Sequence, residues 1–232
     1  MDNETPTIPD LSEISKTIVS CTRCERLVNW RTKAAEEKVK RFREDEYWGR
    51  PLPGFGDPHA SLVVVGLAPA AHGGNRTGRM FTGDDSGTWL IRAMHTAGFA
   101  NHATSEHERD GLLLLRAYIT AAVRCAPPDN RPTPEEFRRC LPYLSAELEI
   151  LRPRVIVVLG KMAHDAIRTH YRGRGLDVRS WQFSHGGQIE IPAPHPVTLI
   201  TSYHPSRQNT QTGRLTRDML QSVFEQARLI LQ

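Results

Sequence analysis

Residues 62–66 of this 232-residue chain are LVVVG, a short run of β-branched residues that ends in glycine. Three similar runs follow it, YITAAVR at 118–124, VIVVL at 155–159 and VTLITSY at 197–203. Nearly continuous apolar runs of this kind are typical of strands that are covered on both faces, as in a parallel sheet. The four runs therefore predict a central four-stranded, mainly parallel sheet.

Amphipathic segments alternate with these strands. Apolar residues recur at helical spacing over 89–97, 137–151 and 219–227, so each segment predicts a helix with one face on the core. The second segment is preceded by Thr133-Pro134-Glu135-Glu136, a capping box with proline at the first helical position. The alternation predicts a single α/β domain with helices on both faces of the sheet, in three layers.

The chain before the first strand is predicted to lie outside this core. We expect a flexible tail over residues 1–14 and one domain over residues 15–232. Residues 26–47 are rich in charge and in good helix formers, and they predict a solvated helix that flanks the domain. The segment PLPGFGDP at 51–58 breaks that helix and leads into the first strand.

Composition and charge exclude some classes of protein. A content of 39% apolar and 24% charged residues argues against wholesale disorder. The apolar runs are too short to span a bilayer, and the polar, acidic start of the chain is unlike a signal peptide, so we expect a cytoplasmic protein without a membrane partner. The net charge of +4 comes from 25 Arg and 5 Lys. Arginine suits phosphates and bases, although a GC-rich genome would favour it equally.

The four cysteines form two pairs, Cys21-x2-Cys24 and Cys125-x14-Cys140. A reducing compartment disfavours disulfides, and four thiolates suit either a tetrahedral zinc ion or an iron–sulfur cluster. The spacing favours the cluster only slightly, because zinc sites more often consist of two Cys-x2-Cys pairs. Either metal would join the N-terminal segment to the loop and helix that follow the second strand.

Ligands of open parallel sheets bind beyond the carboxyl ends of the strands. The loop there after the first strand, GLAPAAHGGNRTGRMFTGD at 66–84, is rich in glycine, and its backbone N–H groups can approach a ligand closely. It lacks the Lys-Ser/Thr ending of a P-loop, which argues against a nucleoside triphosphate. Phe81 can stack on a flat base or anchor the loop in the core. Asp84 can activate a water or cap the helix near Ser86, and the residues alone favour the cap.

Two further loops are predicted at the same edge of the sheet, over 125–132 and 204–214. His204 directly follows the last strand, and Pro205 stiffens the backbone after it. A lone histidine is more often structural than catalytic. Its position at a strand end, before a polar run of Arg, Gln and Asn, gives the two interpretations equal weight.

Together these segments resemble the uracil-DNA glycosylase superfamily, and within it the iron–sulfur-containing family 5. The first loop is similar to that family's first motif, HPSRQNTQTGR at 204–214 to its second, and VRCAPPDNRPTP at 123–134 to the segment near its cluster. The resemblance covers the chain from about Cys21 to the C-terminus. It implies a DNA-repair glycosylase that hydrolyses the N-glycosidic bond of damaged bases. It also implies a [4Fe-4S] cluster held by the four cysteines Cys21, Cys24, Cys125 and Cys140.

The chain departs from related families at two places. Members with strict uracil specificity carry an acidic residue near Leu67 or Ala68, and family 4 enzymes carry Asn at the position of Ala121. A pocket with fewer fixed donors and acceptors rejects fewer bases. We therefore expect activity on uracil and also on hypoxanthine, ethenocytosine and hydroxymethyluracil.

The resemblance also implies roles for single residues. Asp84, together with Asn130, orients the attacking water, and His204 donates to the pyrimidine O2. The base, flipped out of the DNA, lies in a pocket formed by Gly66, Ala68, Phe81 and His204. Two sets of DNA contacts are predicted. Arg207, Gln208 and Asn209 would enter the gap left by the flipped base, and Arg79, Lys161 and Arg214 would contact phosphates. No lyase lysine is evident, so we expect a monofunctional enzyme that leaves an abasic site in DNA. We also expect it to be monomeric and associated with the nucleoid.

Two alternatives stay open at this point. One is a family 4-type glycosylase that accepts uracil alone, and the other is a non-catalytic, zinc-stabilised module that binds nucleic acid. Activity on a panel of damaged bases distinguishes the uracil-only enzyme from one of broad specificity. The colour of the purified protein distinguishes the zinc module, which is colourless, from an iron–sulfur enzyme, which is brown.

Overall fold

A computed structural model describes residues 10–192 and 195–232 of the chain. Residues 1–9 of the predicted tail lie outside the described residues. Residues 11–14 belong to the first helix, α1 (Leu11–Val19), so the boundary predicted after residue 14 is wrong. The helix begins there because Asp10 and Glu13 form a capping box, in which the Asp10 carboxylate accepts a 2.8 Å hydrogen bond from the Glu13 N–H.

A six-stranded sheet forms the centre of the fold, with the strand order β1-β3-β2-β4-β6-β5. The four inner strands are parallel, and both edge strands are antiparallel to their neighbours. The strands are β1 (Phe55–Gly56), β2 (Leu62–Gly66), β3 (Ala117–Ala121), β4 (Val155–Leu159), β5 (Gln188–Ile191) and β6 (Val197–Ser202).

The predicted parallel sheet is thus confirmed, but its size of four strands is wrong by two edge strands. β1 has only two residues, and β5, with the sequence QIEI, has polar and partly exposed residues. Neither has the continuous apolar run of a strand that is covered on both faces, so the pattern that predicts the inner strands does not detect them.

Helices cover both faces of the sheet and complete the predicted three layers. α4 (Asp85–Thr96) and α8 (Arg217–Leu231) pack in one apolar core, and α5 (Pro134–Leu151) and α6 (Lys161–Gly173) pack in the other. The remaining helices are α2 (Glu25–Glu37), α3 (Gly74–Thr77) and α7 (Arg207–Gln211). No helix in the described part of the chain has the length and hydropathy needed to cross a membrane.

The helix predicted over 26–47 is wrong in its second half. α2 ends at Glu37, Lys38 has a φ of 47°, and a single 3-10 turn follows at Lys40–Phe42. Tertiary contacts explain the difference. The Phe42 ring lies under the guanidinium of Arg76 at 3.9 Å, and the Tyr47 hydroxyl is hydrogen-bonded to His72 at 3.0 Å. The segment leaves its helix to contact the loop after β2, and helix propensity carries no information about that contact.

A buried ion pair connects the end of β3 to α5. The Arg124 guanidinium donates to both carboxylate oxygens of Glu147, at 3.1 and 2.5 Å, and each side chain is 1% exposed. The Thr120 hydroxyl also donates to Glu147 at 2.5 Å. Because Arg124 precedes Cys125 and Glu147 shares α5 with Cys140, the ion pair holds together the two elements that carry these cysteines.

The strand order also determines where a ligand can bind. β2 is flanked by β3 on one side and by β4 on the other, so the order of the parallel strands reverses between β2 and β4. Open α/β sheets bind ligands at the carboxyl ends of strands beside such a reversal. Gly66 ends β2 there, Gly160 follows β4, and His204 follows β6.

Candidate active site

Phe81 and His204 face each other above the end of β2. The Phe81 ring covers Gly66 so closely that a Cβ on Gly66 would lie 2.8 Å from two ring carbons. The ring centroids of Phe81 and His204 are 6.0 Å apart, with a tilt of 34° between the planes. Phe81 has a φ of 53°, a left-handed conformation that is uncommon for a bulky residue and turns its ring back over the strand. The structure thus brings together Gly66, Phe81 and His204, three of the four residues predicted for the base pocket.

His204 is held by its backbone, and within the described residues no hydrogen bond occupies its ring. Its carbonyl oxygen accepts hydrogen bonds from the Ser206 N–H and the Asn209 side-chain amide, both at 2.8 Å. Gly160 has a φ of 94°, and a Cβ added to it would lie 3.3 Å from the His204 Cβ, so only glycine leaves the backbone room at this place. Burial lowers the pKa of His204 to about 4. The imidazole is therefore neutral at physiological pH and can donate one N–H.

Asp84 caps α4, as the residues alone predict. Its carboxylate accepts a 2.8 Å hydrogen bond from the Gly87 N–H. The second carboxylate oxygen lies against Gly73, where a Cβ would overlap it. Burial raises the pKa of Asp84, and the neighbouring Asp85 adds to this effect. A carboxylate with a raised pKa is a stronger base than a solvated aspartate, so the cap position also suits proton transfer.

Arg76 joins two parts of the loop at residues 66–84, which is called the first-motif loop below. Its guanidinium donates to the carbonyl oxygens of His72 at 2.9 Å and Gly83 at 3.0 Å, and it pairs with Asp45 at 2.6 Å. These contacts fix the backbone immediately before Gly73 and immediately before Asp84. The role of Arg76 could not be predicted from sequence, because nothing in the pattern distinguishes it from Arg79 of the same loop.

The prediction that Arg79 contacts a DNA phosphate is wrong. Arg79 is 7% exposed, pairs with Asp110 at 2.6 Å and donates to the Thr82 hydroxyl at 2.9 Å. Burial alone would raise the pKa of Asp110, but Arg79 and backbone donors hold it well below its usual range. All these bonds turn the guanidinium inwards, so Arg79 anchors the loop after β2 to the segment before β3.

Three other predicted residues have contacts that differ from those expected. Ala68 packs against the buried cluster that contains Cys125 and Cys140, so its side chain points to these cysteines and only its backbone remains for a base. The Asn209 amide is bonded to the His204 carbonyl and is not available to enter the gap left by a flipped base. Asn130 is exposed at a φ of 55°, and within the described residues no hydrogen bond joins it to Asp84 or His204.

The four remaining predicted DNA contacts are exposed. Lys161 is paired with Asp165 at 2.5 Å, Arg207 with Asp85 at 2.6 Å, and Arg214 lies 4.5 Å from the centre of the Tyr203 ring. Gln208 is exposed on α7. Exposed ion pairs are weak and can be exchanged for phosphate contacts, so these roles stay predictions.

The four cysteines lie close to one another between α2, the loop after β3 and α5. Cys125 and Cys140 are buried with Leu27 and Val123, and Cys24 packs against them. Burial, together with smaller contributions from the other three thiols, raises the pKa of Cys125 to about 12, although Arg31 opposes the shift. In the part of the chain that the structure describes, no three His, Cys, Asp or Glu side chains form a site for a single metal ion. The thiols are thus near enough to influence one another without surrounding one ion.

Comparison with known proteins gives a consistent result. The family model described as "Uracil DNA glycosylase superfamily" matches residues 53–228. The chain is 47% identical over 220 residues to the type-5 uracil-DNA glycosylase of Thermus thermophilus, with 94% of this chain and 97% of that protein covered. It is 46% identical to the type-5 enzyme of Mycobacterium tuberculosis, with coverage of 94% and 81%. Identity to the type-4 enzyme of Sulfurisphaera tokodaii is 28%, with coverage of 84% and 77%.

Proposed function

Since the chain belongs to the uracil DNA glycosylase superfamily, we propose that it excises uracil and other deaminated or modified bases from DNA by hydrolysis of the N-glycosidic bond. The observation that carries this proposal is the pairing of Phe81 with a neutral His204 above Gly66, next to the loop that presents Asp84. The high identity to type-5 enzymes over nearly the whole chain supports the same reaction.

The base would enter the pocket after it has been flipped out of the stack. Phe81 offers the face of an aromatic ring, on which any base can stack. Backbone N–H groups of the glycine-rich loop and the His204 N–H would then stabilise the negative charge that develops on the leaving base. A neutral donor suits this role because it stabilises the anion without first losing or gaining a proton.

Asp84 is the group best placed to orient the attacking water. One carboxylate oxygen is occupied by the helix cap, which fixes the side chain, and the other faces Gly73. As the glycosidic bond lengthens, the sugar acquires oxocarbenium character, and a nearby carboxylate both stabilises that charge and can accept a proton from water. Asn130 does not contribute in this arrangement unless the loop that carries it moves when DNA binds.

The floor of the pocket supports a broad choice of base. Ala121 is in register with Gly66 at the carboxyl ends of β3 and β2, and it is buried. Its methyl group offers no hydrogen bond to a base edge. Leu67 and Ala68 are apolar as well. The pocket therefore has few polar groups that would lose a hydrogen-bond partner when hypoxanthine, ethenocytosine or hydroxymethyluracil replaces uracil.

The proposal is tested on end-labelled duplexes, each with one uracil, hypoxanthine, ethenocytosine or hydroxymethyluracil, followed by alkali to cut at abasic sites. We expect cleavage of all four duplexes, with none before alkali because the enzyme is monofunctional. Cleavage of uracil alone would contradict the broad specificity and favour the family 4-type alternative. If no duplex is cleaved, the glycosylase reaction itself is ruled out. Gel filtration of the same protein tests the expectation of a monomer.

Replacement of Asp84 by asparagine separates its two roles. Asparagine caps helices about as well as aspartate, so we expect an unchanged melting temperature. The carboxylate that acts as the general base is lost, so kcat for uracil should fall by about 100-fold, within the range for general-base catalysis. Because burial raises the pKa of Asp84, wild-type kcat should decline on the acid side at a pH above the usual aspartate range.

The Asp84→Asn variant should lack this acid limb of the pH profile. Asp85→Asn is the control, since Asp85 is exposed and lies one residue away. It should retain kcat and the acid limb, but the limb should lie at lower pH because Asp85 contributes to the raised pKa of Asp84. A variant at Asp84 with full kcat and the wild-type pH profile would leave the carboxylate with the capping role alone.

We also infer that the four cysteines bind a [4Fe-4S] cluster. A cubane cluster holds its ligands farther apart than a single ion does, which fits thiols that interact without surrounding one ion. Its negative charge also fits the surroundings, since each thiol has an arginine near it: Arg23 for Cys21, Arg139 for Cys24, Arg31 for Cys125 and Arg124 for Cys140. When bound, such a cluster supplies a cross-link between distant segments and can exchange an electron.

Purification without added metal tests the cluster. We expect a brown protein with about four irons per chain, and a Cys140→Ser variant that has lost most of the iron and of the visible absorbance. Thr22→Ser, between Cys21 and Cys24, is a control that should retain both. A colourless wild type with one zinc ion per chain would show that the cluster assignment is wrong.

A further inference from the structure

A basic basin lies beside the cysteines, apart from the candidate active site. It has a volume of about 640 Å³ and lies between α1, the start of the Cys21 segment, Arg31 of α2 and Arg50. Its charged residues are Lys16, Arg31 and Arg50, and within the described residues no Asp or Glu lines it. The basin includes Cys21 but none of the other three cysteines, so it lies next to the thiol group and not inside it.

Arg31 gives the basin a built-in cation. Its side chain is 6% exposed, and its Nε has no hydrogen-bond partner within the described residues. One Nη donates to the Gly49 carbonyl at 2.7 Å, which fixes the position of the guanidinium. The guanidinium therefore carries a fixed positive charge between the basin and Cys125, and this charge attracts an anion that enters the basin.

The exposed rim of the basin has the same sign of charge. Lys16 and Arg50 are exposed, and neither is in an ion pair with a described acidic residue. The remaining lining includes the hydroxyl-bearing side chains of Ser12 and Thr22, which suit a phosphate oxygen. The combination of one buried and two exposed cations with no carboxylate is complementary to a phosphate group.

The basin shares a wall with the loop that carries Asp84. The Asn75 side chain of that loop donates to the Arg31 carbonyl at 3.1 Å, and the Gly49 N–H donates to the Asn75 carbonyl at 3.0 Å. A phosphate in the basin would therefore be bound next to the first-motif loop, on a part of the chain to which neither the fold nor the base pocket assigns a function.

We propose that this basin binds a phosphate group of the DNA backbone, as a contact separate from the base pocket. The proposal rests on the proposed function, because it takes DNA as the ligand. The open, exposed rim favours a backbone phosphate over a small free anion, for which an enclosed site with several buried donors would be expected. The N-terminal cysteine segment would thus serve DNA binding as well as metal binding.

The test measures binding rather than excision. The double variant Lys16→Gln/Arg50→Gln removes the rim charges, and Ser12→Glu places a carboxylate at an exposed helical position in the lining. Arg116→Gln/Arg228→Gln is the control, with the same loss of charge near the amino end of β3 and the end of α8. Fluorescence anisotropy gives Kd for a blunt duplex with an uncleavable abasic analogue, at several salt concentrations, and visible absorbance confirms equal metal content.

We expect both basin variants to bind the duplex about tenfold more weakly at low salt. For the double variant, the slope of log Kd against log salt concentration should be smaller by about 1, as for the loss of one phosphate contact. The Arg116→Gln/Arg228→Gln control should have a lower Kd than both basin variants and a steeper slope than the double variant. If both basin variants match the control, the proposal is wrong. If instead inorganic phosphate raises the melting temperature of the wild type but not of the variants, while DNA binding is equal, the site takes a free anion and the DNA assignment is wrong.

These outcomes are distinguishable from a failure of the proposed function. Duplex binding does not require excision. If the wild type cleaves no damaged base, and the basin variants still bind the duplex more weakly than the wild type, only the glycosylase proposal is refuted.

Discussion

His204→Ala should lower kcat for uracil by about 1,000-fold, at the upper end of the effect of removing one preorganised donor from a developing anion. The structure gives the reason for so large an effect. The His204 carbonyl is bonded to the Ser206 N–H and the Asn209 amide, so the ring is held by its backbone and fixed in advance. A donor that needs no reorganisation stabilises the transition state more than the bound substrate, and its loss should appear in kcat more than in KM.

The same loss is expected for every base that the enzyme accepts, because the leaving base becomes an anion in each case. Single-turnover kinetics on the uracil and hypoxanthine duplexes would measure it. His204→Gln retains a neutral N–H donor and should recover about tenfold of the lost rate, since a charge-assisted hydrogen bond is partly restored. Because the pKa of His204 is about 4, its ring does not titrate between pH 5.5 and 8, and wild-type kcat should show no histidine limb there. A near-wild-type rate for His204→Ala would assign it a structural role.

Glu147→Ala should destabilise the fold by about 3–5 kcal/mol, because it leaves the buried Arg124 guanidinium without its counter-charge. The carboxylate accepts from Arg124 twice and from Thr120, so its removal leaves several buried donors without an acceptor. Urea denaturation at neutral pH, followed by far-UV circular dichroism under anaerobic conditions, would measure the free energy of unfolding.

A second carboxylate of α5 provides the control. Glu149 pairs with Arg174 at the surface, with 51% and 47% of the two side chains exposed, and Glu149→Ala should change stability by less than about 1 kcal/mol. The double variant Arg124→Leu/Glu147→Leu removes both charges and should recover part of the loss, since a buried pair can be replaced by apolar residues. Equal effects of Glu147→Ala and Glu149→Ala would show that the buried pair does not stabilise the fold as described.

The inner strands could be predicted from sequence because burial on both faces leaves a local pattern. The match is close for β2 and β4, whose bounds are those predicted, and less so for β3, which ends at Ala121. Beyond it, the Ala122 and Val123 N–H groups donate to Gly66 and Leu67, so the chain continues beside β2 without forming a full strand. The capping boxes of α1 and α5 are equally local signals.

The parts of the site that could not be predicted depend on distant contacts. Arg76 and Arg79 lie in the same loop and look alike in sequence, and the structure turns both inwards, towards Asp45 and Asp110. No local pattern tells such an arginine from one that binds phosphate. Asp84 illustrates the opposite case, because a capping residue is recognisable from its neighbours, and the same position suits a catalytic role.

The order of the strands has a consequence for the synthesis of the protein. Asp84 lies after β2, early in the chain, while His204 lies after β6, which pairs with β4 only when the last part of the chain is present. A nascent chain on the ribosome can assemble β2, β3 and β4 with their helices before β6 has emerged, since folding proceeds from the N-terminus during translation. Such a partly made chain would hold the loop of Asp84 but not the imidazole opposite Phe81. Catalytic competence would therefore arise last, with the pairing of the final strand of the parallel sheet.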